Sequence, residues 1–352
     1  MESTLDDISE ILEFIRTYAA AQKADVWRIE EDYTRIKRST GVLSWTQGRR
    51  ELYLIRWRDR NGAVHFLCTR EPRLHEDMIF QASVEREELE LAAPRTDKLE
   101  VPVYDPSWEL VPVYDRYSAL PEDVVEYEEI LRRNFYVNSV GMKERYRETL
   151  FRARYEREGF DFETYARRFE ELLKADILEG STRADLAVFH PKATFKLFFS
   201  LLERLGKGKK FHPPPEIFLY DDPSIAYGMG SFPFDSGGFI PSRIYILKEG
   251  KVQTPSPRFY VRAEPEEFPE KNWANLQFES PFYHPKKFIV IYDLQPFPDF
   301  ALAFSSGGEI RLDSEVVLLK GFVGKYREGW YIGKPFIKSD FLVFDLHKIR
   351  LD

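Results

Sequence analysis

The sequence is poorest in the residues from which redox and metal sites are made. It has one cysteine, Cys68, among 352 residues. That excludes a disulfide framework and any zinc site built on thiolates. Histidine is scarce as well: His65, His75, His190, His212, His284 and His347 are the full set. Only His75 is followed by glutamate, and neither residue 79 nor residue 80 is histidine, so the His-Glu-x-x-His metalloprotease pattern is missing. No apolar run exceeds five residues, far short of a bilayer span. An excess of positive charge is also lacking. Lys and Arg number 51 against 59 Asp and Glu, for a net charge of −8 and a pI near 5.5. Backbone binding of nucleic acid needs a basic face, so no nucleic-acid partner is expected. The start, MESTLDDISEILEFIR, lacks the basic and apolar regions of a secretory signal. A cytoplasmic protein without membrane contact is expected.

Core material is plentiful. Hydrophobic residues make up 43% of the chain and aromatics 15%, enough for two domains. Leu5, Ile8, Leu12, Ile15 and Ala19 recur at helical spacing. ADVWRIEE, YTRIKRS, VLSWTQ and ELYLIRWRD then read as strands, and the Asn-Gly of DRNG (59–62) predicts a hairpin returning through AVHFLC. Helices are expected over 76–92, 121–133 and 161–178, the last from the stripe Phe162, Tyr165, Ala166, Phe169, Leu172 and Leu173. The proline-rich stretch 93–120 carries VPVYD twice and reads as an extended connector. KERYRETLFRARYERE alternates like a strand with a solvated charged face.

A boundary is placed after residue 180. Beyond it, ADLAVFHP predicts a strand and 192–206 a helix, whose end at GKGKK (206–210) lacks the spacing of a phosphate loop. From Phe211 onward come short strands with Pro and Gly turns. The fold class expected is α+β: residues 1–180 an antiparallel sheet with helices, residues 181–352 a β-rich, barrel-like domain.

Chemistry, if present, should sit in DDPSIAYGMGSFPFDSGG (221–238). Asp221, Asp222 and Asp235 are candidate cation ligands, but their spacing is unlike a calcium loop. The competing reading is a turn system opened by Asp222-Pro223, with Gly237 and Gly238 supplying conformational freedom. His190, at a strand end, and Asn138-Ser139, in FYVNSVG, complete the candidate set.

The order of these motifs resembles the TldD/PmbA (TldE) family, once called modulators of DNA gyrase. FDSGGFIPSRIYILKEGKV (234–252) stands where that family has its acidic turn and following strand. FYVNSVG (135–141) is similar to its Asn-Ser-x-Gly strand end, and WANLQFE (273–279) to its Asn-containing strand. The metal-bearing members carry His-Glu-x-x-x-His on the helix corresponding to 192–206. Here Phe199 and Arg204 fall near the histidine places and Ser200 near the glutamate place. None is a ligand. The resemblance therefore implies the non-metal-binding PmbA/TldE branch, with no cofactor, acting as a homo-oligomer or with a TldD-like metal-binding chain in peptide processing. A hydrolase around Asp235 and His190, and a gyrase-linked regulator, are the alternatives.

Overall fold

The computed structural model describes residues 3–85, 88–95, 100–157, 160–173, 186–189, 193, 218–253, 258–259, 271–272, 274–279, 288–296, 300–305, 308–313, 329–330, 338–339 and 342–345. Its first helix, α1 (Ser3–Tyr18), buries Ile8, Ile11, Leu12 and Ile15 against Val26, Ile55, Trp57 and Val137. That contact covers one face of a seven-stranded antiparallel sheet. The strands are β1 (Lys23–Ser39), β2 (Val42–Arg58), β3 (Val64–Thr69), β4 (Ser83–Glu85), β5 (Val124–Asn138), β6 (Lys143–Arg157) and β7 (Phe160–Ala166). They lie in the order β4-β3-β2-β1-β5-β6-β7. The four strand-like pieces read at 24–59 are two long strands paired from Lys23↔Arg58 to Ser39↔Val42. The DRNG hairpin forms as expected: the Asp59 carboxylate accepts the N–H groups of Asn61 and Ala63, and Gly62 has φ +90°.

Several helix expectations fail. Residues 121–133 lie mostly in β5, whose neighbours β1 and β6 pair with it along nearly its whole length. The helical spacing of its apolar residues is overridden because both sheet faces bury side chains, and its carboxylates meet arginines: Glu128 meets Arg35 and Arg152, and Glu129 meets Arg116. Of the helix expected over 161–178, the described part is divided between β7, which pairs with β6, and a single turn, α5 (Phe169–Leu173); 174–178 lie outside the described residues. In 76–92 only α2 (Glu76–Phe80) is helical before β4. The connector 93–120 is not wholly extended; it holds α3 (Ser107–Leu110) and α4 (Val113–Ser118). Its extended part is anchored where Val103 accepts the Thr149 N–H and Thr149 Oγ1 accepts the Asp105 N–H.

The second half is strand-rich. β8 (Leu186–Phe189) lies in a sheet ordered β17-β16-β15-β8-β20, with β15 (Phe288–Pro296), β16 (Phe300–Ser305), β17 (Gly308–Asp313) and β20 (Leu342–Asp345). β15 and β8 run parallel. A second sheet has the order β11-β10-β9-β14, from β9 (Phe218–Asp221), β10 (Ile244–Lys248), β11 (Lys251–Val252) and β14 (Leu276–Glu279). Two short pairs complete it: β12 (Arg258–Phe259) with β13 (Lys271–Asn272), and β18 (Gly329–Trp330) with β19 (Lys338–Ser339). The architecture is α+β. Among the described residues these strands fall into separate sheets, not one closed barrel. No helix there is long and apolar enough to cross a membrane.

Candidate functional site, an arginine-clamped loop

The stretch between β9 and β10 leaves its own sheet and lies on the face of the seven-stranded sheet opposite α1. Phe234 is its anchor. Its ring stacks on Trp27 at 5.4 Å, sits 5.7 Å from Tyr136 and meets Tyr146 edge-on at 5.4 Å. Ile29, Leu52, Leu54, Phe66 and Met142 complete this cluster. Sheet side chains and loop carbonyls then lock together. The Trp27 indole donates to the Ser236 carbonyl at 3.2 Å, and Arg56 donates to the same oxygen at 2.5 Å. Arg95 donates to the Gly238 carbonyl at 2.5 Å. Arg167 donates to the carbonyls of Gly228, Met229 and Ser231 at 3.1, 2.8 and 3.3 Å. Three arginines thus hold five loop carbonyls, which would otherwise be costly to bury.

Two of these arginines, Arg56 and Arg167, are themselves held by carboxylates. Arg56 pairs with the fully buried Asp25 on the adjacent strand. Arg167 pairs with Glu148, which also takes Arg132 at 3.0 Å; Arg132 reaches Glu31 at 2.5 Å, and Glu31 takes Arg50. The chain Arg50–Glu31–Arg132–Glu148–Arg167 draws one residue from each of β2, β1, β5 and β6, then the residue just past β7. Burial by itself lowers the Arg132 pKa, but Glu31 and Glu148 outweigh it and push the guanidinium above its ordinary value. For Glu31, burial raises the carboxyl, and Arg132 and Arg50 reverse this and hold it below 4.5.

The candidate aspartates, Gly238, Asn138 and Ser139 each have a structural post. Asp221 Oδ1 accepts the N–H groups of Ala274 and Asn275 at 2.9 and 2.7 Å. Asp222 accepts from Ser224 N–H and Oγ and from Arg243 at 2.9 Å. Asp235 Oδ1 closes its own turn by accepting from Gly237 and Phe239. The three carboxylates do not converge, and among the described residues no group of three His, Cys, Asp or Glu side chains could hold a metal ion. Gly238 adopts φ +90°, and a Cβ there would meet Met142 Sδ at 2.6 Å. Asn138 Oδ1 caps the β5–β6 turn by accepting from Val140 and Met142, while its amide donates to the Ala92 carbonyl. Ser139 Oγ accepts the Ala24 N–H at 3.0 Å. His190, Phe199, Ser200 and Arg204 lie outside the described residues.

Sequence reading passed over the clamp itself: Arg56, Arg95, Arg167 and the partners Asp25 and Glu148. One signal was available. Arg56 interrupts the apolar run of ELYLIRWRD on the face shared with Leu52 and Leu54, where a charge requires a buried partner. Asn275, in WANLQFE, holds the loop from the far side: its side chain accepts Gly230 N–H at 2.8 Å and donates to Ser231 Oγ at 2.8 Å and the Asp222 carbonyl at 3.0 Å. The turn reading of 221–238 thus describes its geometry, and the hydrogen bonds of Asp222, Ser231 and Asp235 help to fix that geometry.

The fold defined here is an antiparallel, helix-backed sheet carrying a loop from a following strand-rich unit. Three solved structures share it over almost their full length. TldE from Thermococcus kodakarensis has a TM-score of 0.67 at 12% identity, covering 98% of this chain and 99% of that one. A candidate modulator of a DNA gyrase from Thermotoga maritima has a TM-score of 0.63 at 13% identity, covering 97% and 98%. A candidate modulator of DNA gyrase from Bacteroides thetaiotaomicron has a TM-score of 0.63 at 13% identity, covering 98% of both. At such identities the likeness is one of fold. No protein-family model and no curated protein matches the sequence.

Proposed function

We propose that the chain is a TldD/PmbA-like protein of the TldE type: a non-catalytic subunit that acts with a metal-bearing, TldD-like chain in peptide processing. The observation that carries this reading is the likeness to TldE over nearly the full length of both chains, combined with a sequence in which no two histidines stand four or five positions apart. A helical His-Glu zinc site requires such a pair on one helix face. The loop geometry supports the same reading. Asp221, Asp222 and Asp235 serve the backbone, which weighs against a hydrolytic centre built on Asp235 and His190. The net charge of −8 weighs against direct DNA binding. The reading includes a cytoplasmic setting, a division into residues 1–180 and 181–352, and assembly with itself or the TldD-like chain.

The test uses the purified chain, a TldD-like chain from the same genome, and their mixture. Stable co-elution and peptide hydrolysis that rises in the mixture support the proposal. Stoichiometric zinc and peptidase activity in this chain alone would overturn it.

A further inference from the structure

The β1–β2 hairpin outruns the strand beside it. β3 pairs with β2 only from Tyr53 to Arg58. From Val42 to Arg50 the outer edge of β2 therefore has no strand partner among the described residues. Open edges are usually blunted with charge, proline or a bulge. Here Val42–Gly48 contains none of these, and its pairing with β1 is regular throughout. It is also apolar. Val42, Leu43 and Trp45 are 65%, 44% and 41% exposed. Trp45 is the last member of a cross-strand row: it pairs with the fully buried Ile36, which pairs with the buried Tyr127. The apolar row runs over three strands and stops at an open backbone edge. Gly48 also lets the Tyr33 ring lie across β2, since a Cβ there would meet Tyr33 Oη at 2.4 Å.

Charge selects the occupant. Tyr33 to Arg50 is the longest acid-free stretch of this acidic chain, and it carries Arg35, Lys37, Arg38, Arg49 and Arg50. Four of these reach carboxylates on β1 or β5, inboard of the open edge. Arg38 has no carboxylate partner among the described residues; it donates to the Glu122 carbonyl and lies over the Tyr117 ring. A second copy would set one basic arm against another. We propose that the outer edge of β2, Val42–Arg50, is a strand-addition site for an extended acidic peptide with alternating apolar residues. Backbone hydrogen bonds would hold the peptide, an apolar side chain opposite Trp45 would extend the row, and its carboxylates would face the basic flanks.

The probe is a short fluorescent peptide alternating valine and glutamate, with a valine–lysine peptide as control, titrated into the full chain and read by anisotropy. The glutamate peptide should bind saturably and at least about tenfold tighter than the lysine peptide, although the protein's net charge favours the opposite order. Binding should weaken about tenfold or more in Trp45→Ser and in Thr46→Pro, with Leu43→Ser as a second exposed change should the proline variant not fold. Equal binding of both peptides, or unchanged binding in folded Trp45→Ser and Leu43→Ser, overturns the proposal. So does light scattering that shows a dimer lost in Trp45→Ser, since the edge would then be occupied by a second copy.

Discussion

A buried charge is tolerable only while its partners stay in place, and Arg167 shows how far that condition reaches. It joins Glu148, its neighbour in the sheet's ion chain, to three carbonyls of the 228–231 loop. Arg167→Met would leave those carbonyls bare and remove one of the two arginines that neutralise Glu148. A loss of about 3–5 kcal/mol is expected from urea denaturation, with the unfolding slope unchanged. Glu31 gives the chain a pH signature. Its folded pKa lies below its ordinary 4.5, because Arg132 and Arg50 overcome the effect of burial. The stability it contributes is fully present above the unfolded value and is lost as pH falls through the folded one. Stability measured from neutrality downward should therefore decline below about pH 4.5, and Glu31→Gln should be less stable at neutrality with a shallower acid decline. A variant retaining the full wild-type acid profile would place that loss elsewhere.

At the scale of elements, the loop is fixed by close approach as much as by hydrogen bonds. A Cβ on Gly230 would stand 1.9 Å from the Ala274 carbonyl oxygen. Backbone cannot yield as a side-chain end can, so Gly230→Ala should cost about 1–3 kcal/mol and loosen the loop, read as faster amide exchange at Gly230 and Phe232. The sequence made some elements plain and hid others. The α1 stripe and the DRNG turn are local patterns, and local chemistry determines them. β5 carries apolar residues at both helical and alternating spacing, and only the strands on either side decide between them. For β7, at the end of the sheet, pairing with β6 decides. In the candidate site, Asp222-Pro223 and the glycines announced a turn, and the turn is there. The clamp went unseen because its members are distant in sequence: Arg56 and Ser236 are 180 positions apart. Single-residue patterns cannot express such a pair, although an arginine within an apolar strand was a hint.

For the whole molecule, the sheet and the loop form one packed unit, with Phe234 seated among Trp27, Tyr136 and Tyr146. Phe234→Ala should cost about 3–5 kcal/mol, measured by thermal or urea unfolding. On the proposed reading it should also weaken assembly with a TldD-like chain if that chain binds the face bearing the loop. The candidate residues Asp221, Asp222, Asp235, Asn138 and Ser139 act in this account as builders of that face. The most direct measurement is peptide hydrolysis and bound zinc for this chain alone, for the TldD-like chain alone and for the two together. The account predicts no zinc and no hydrolysis from this chain alone, and activity in the mixture above that of the TldD-like chain. One equivalent of tightly held zinc with hydrolysis by this chain alone would contradict it.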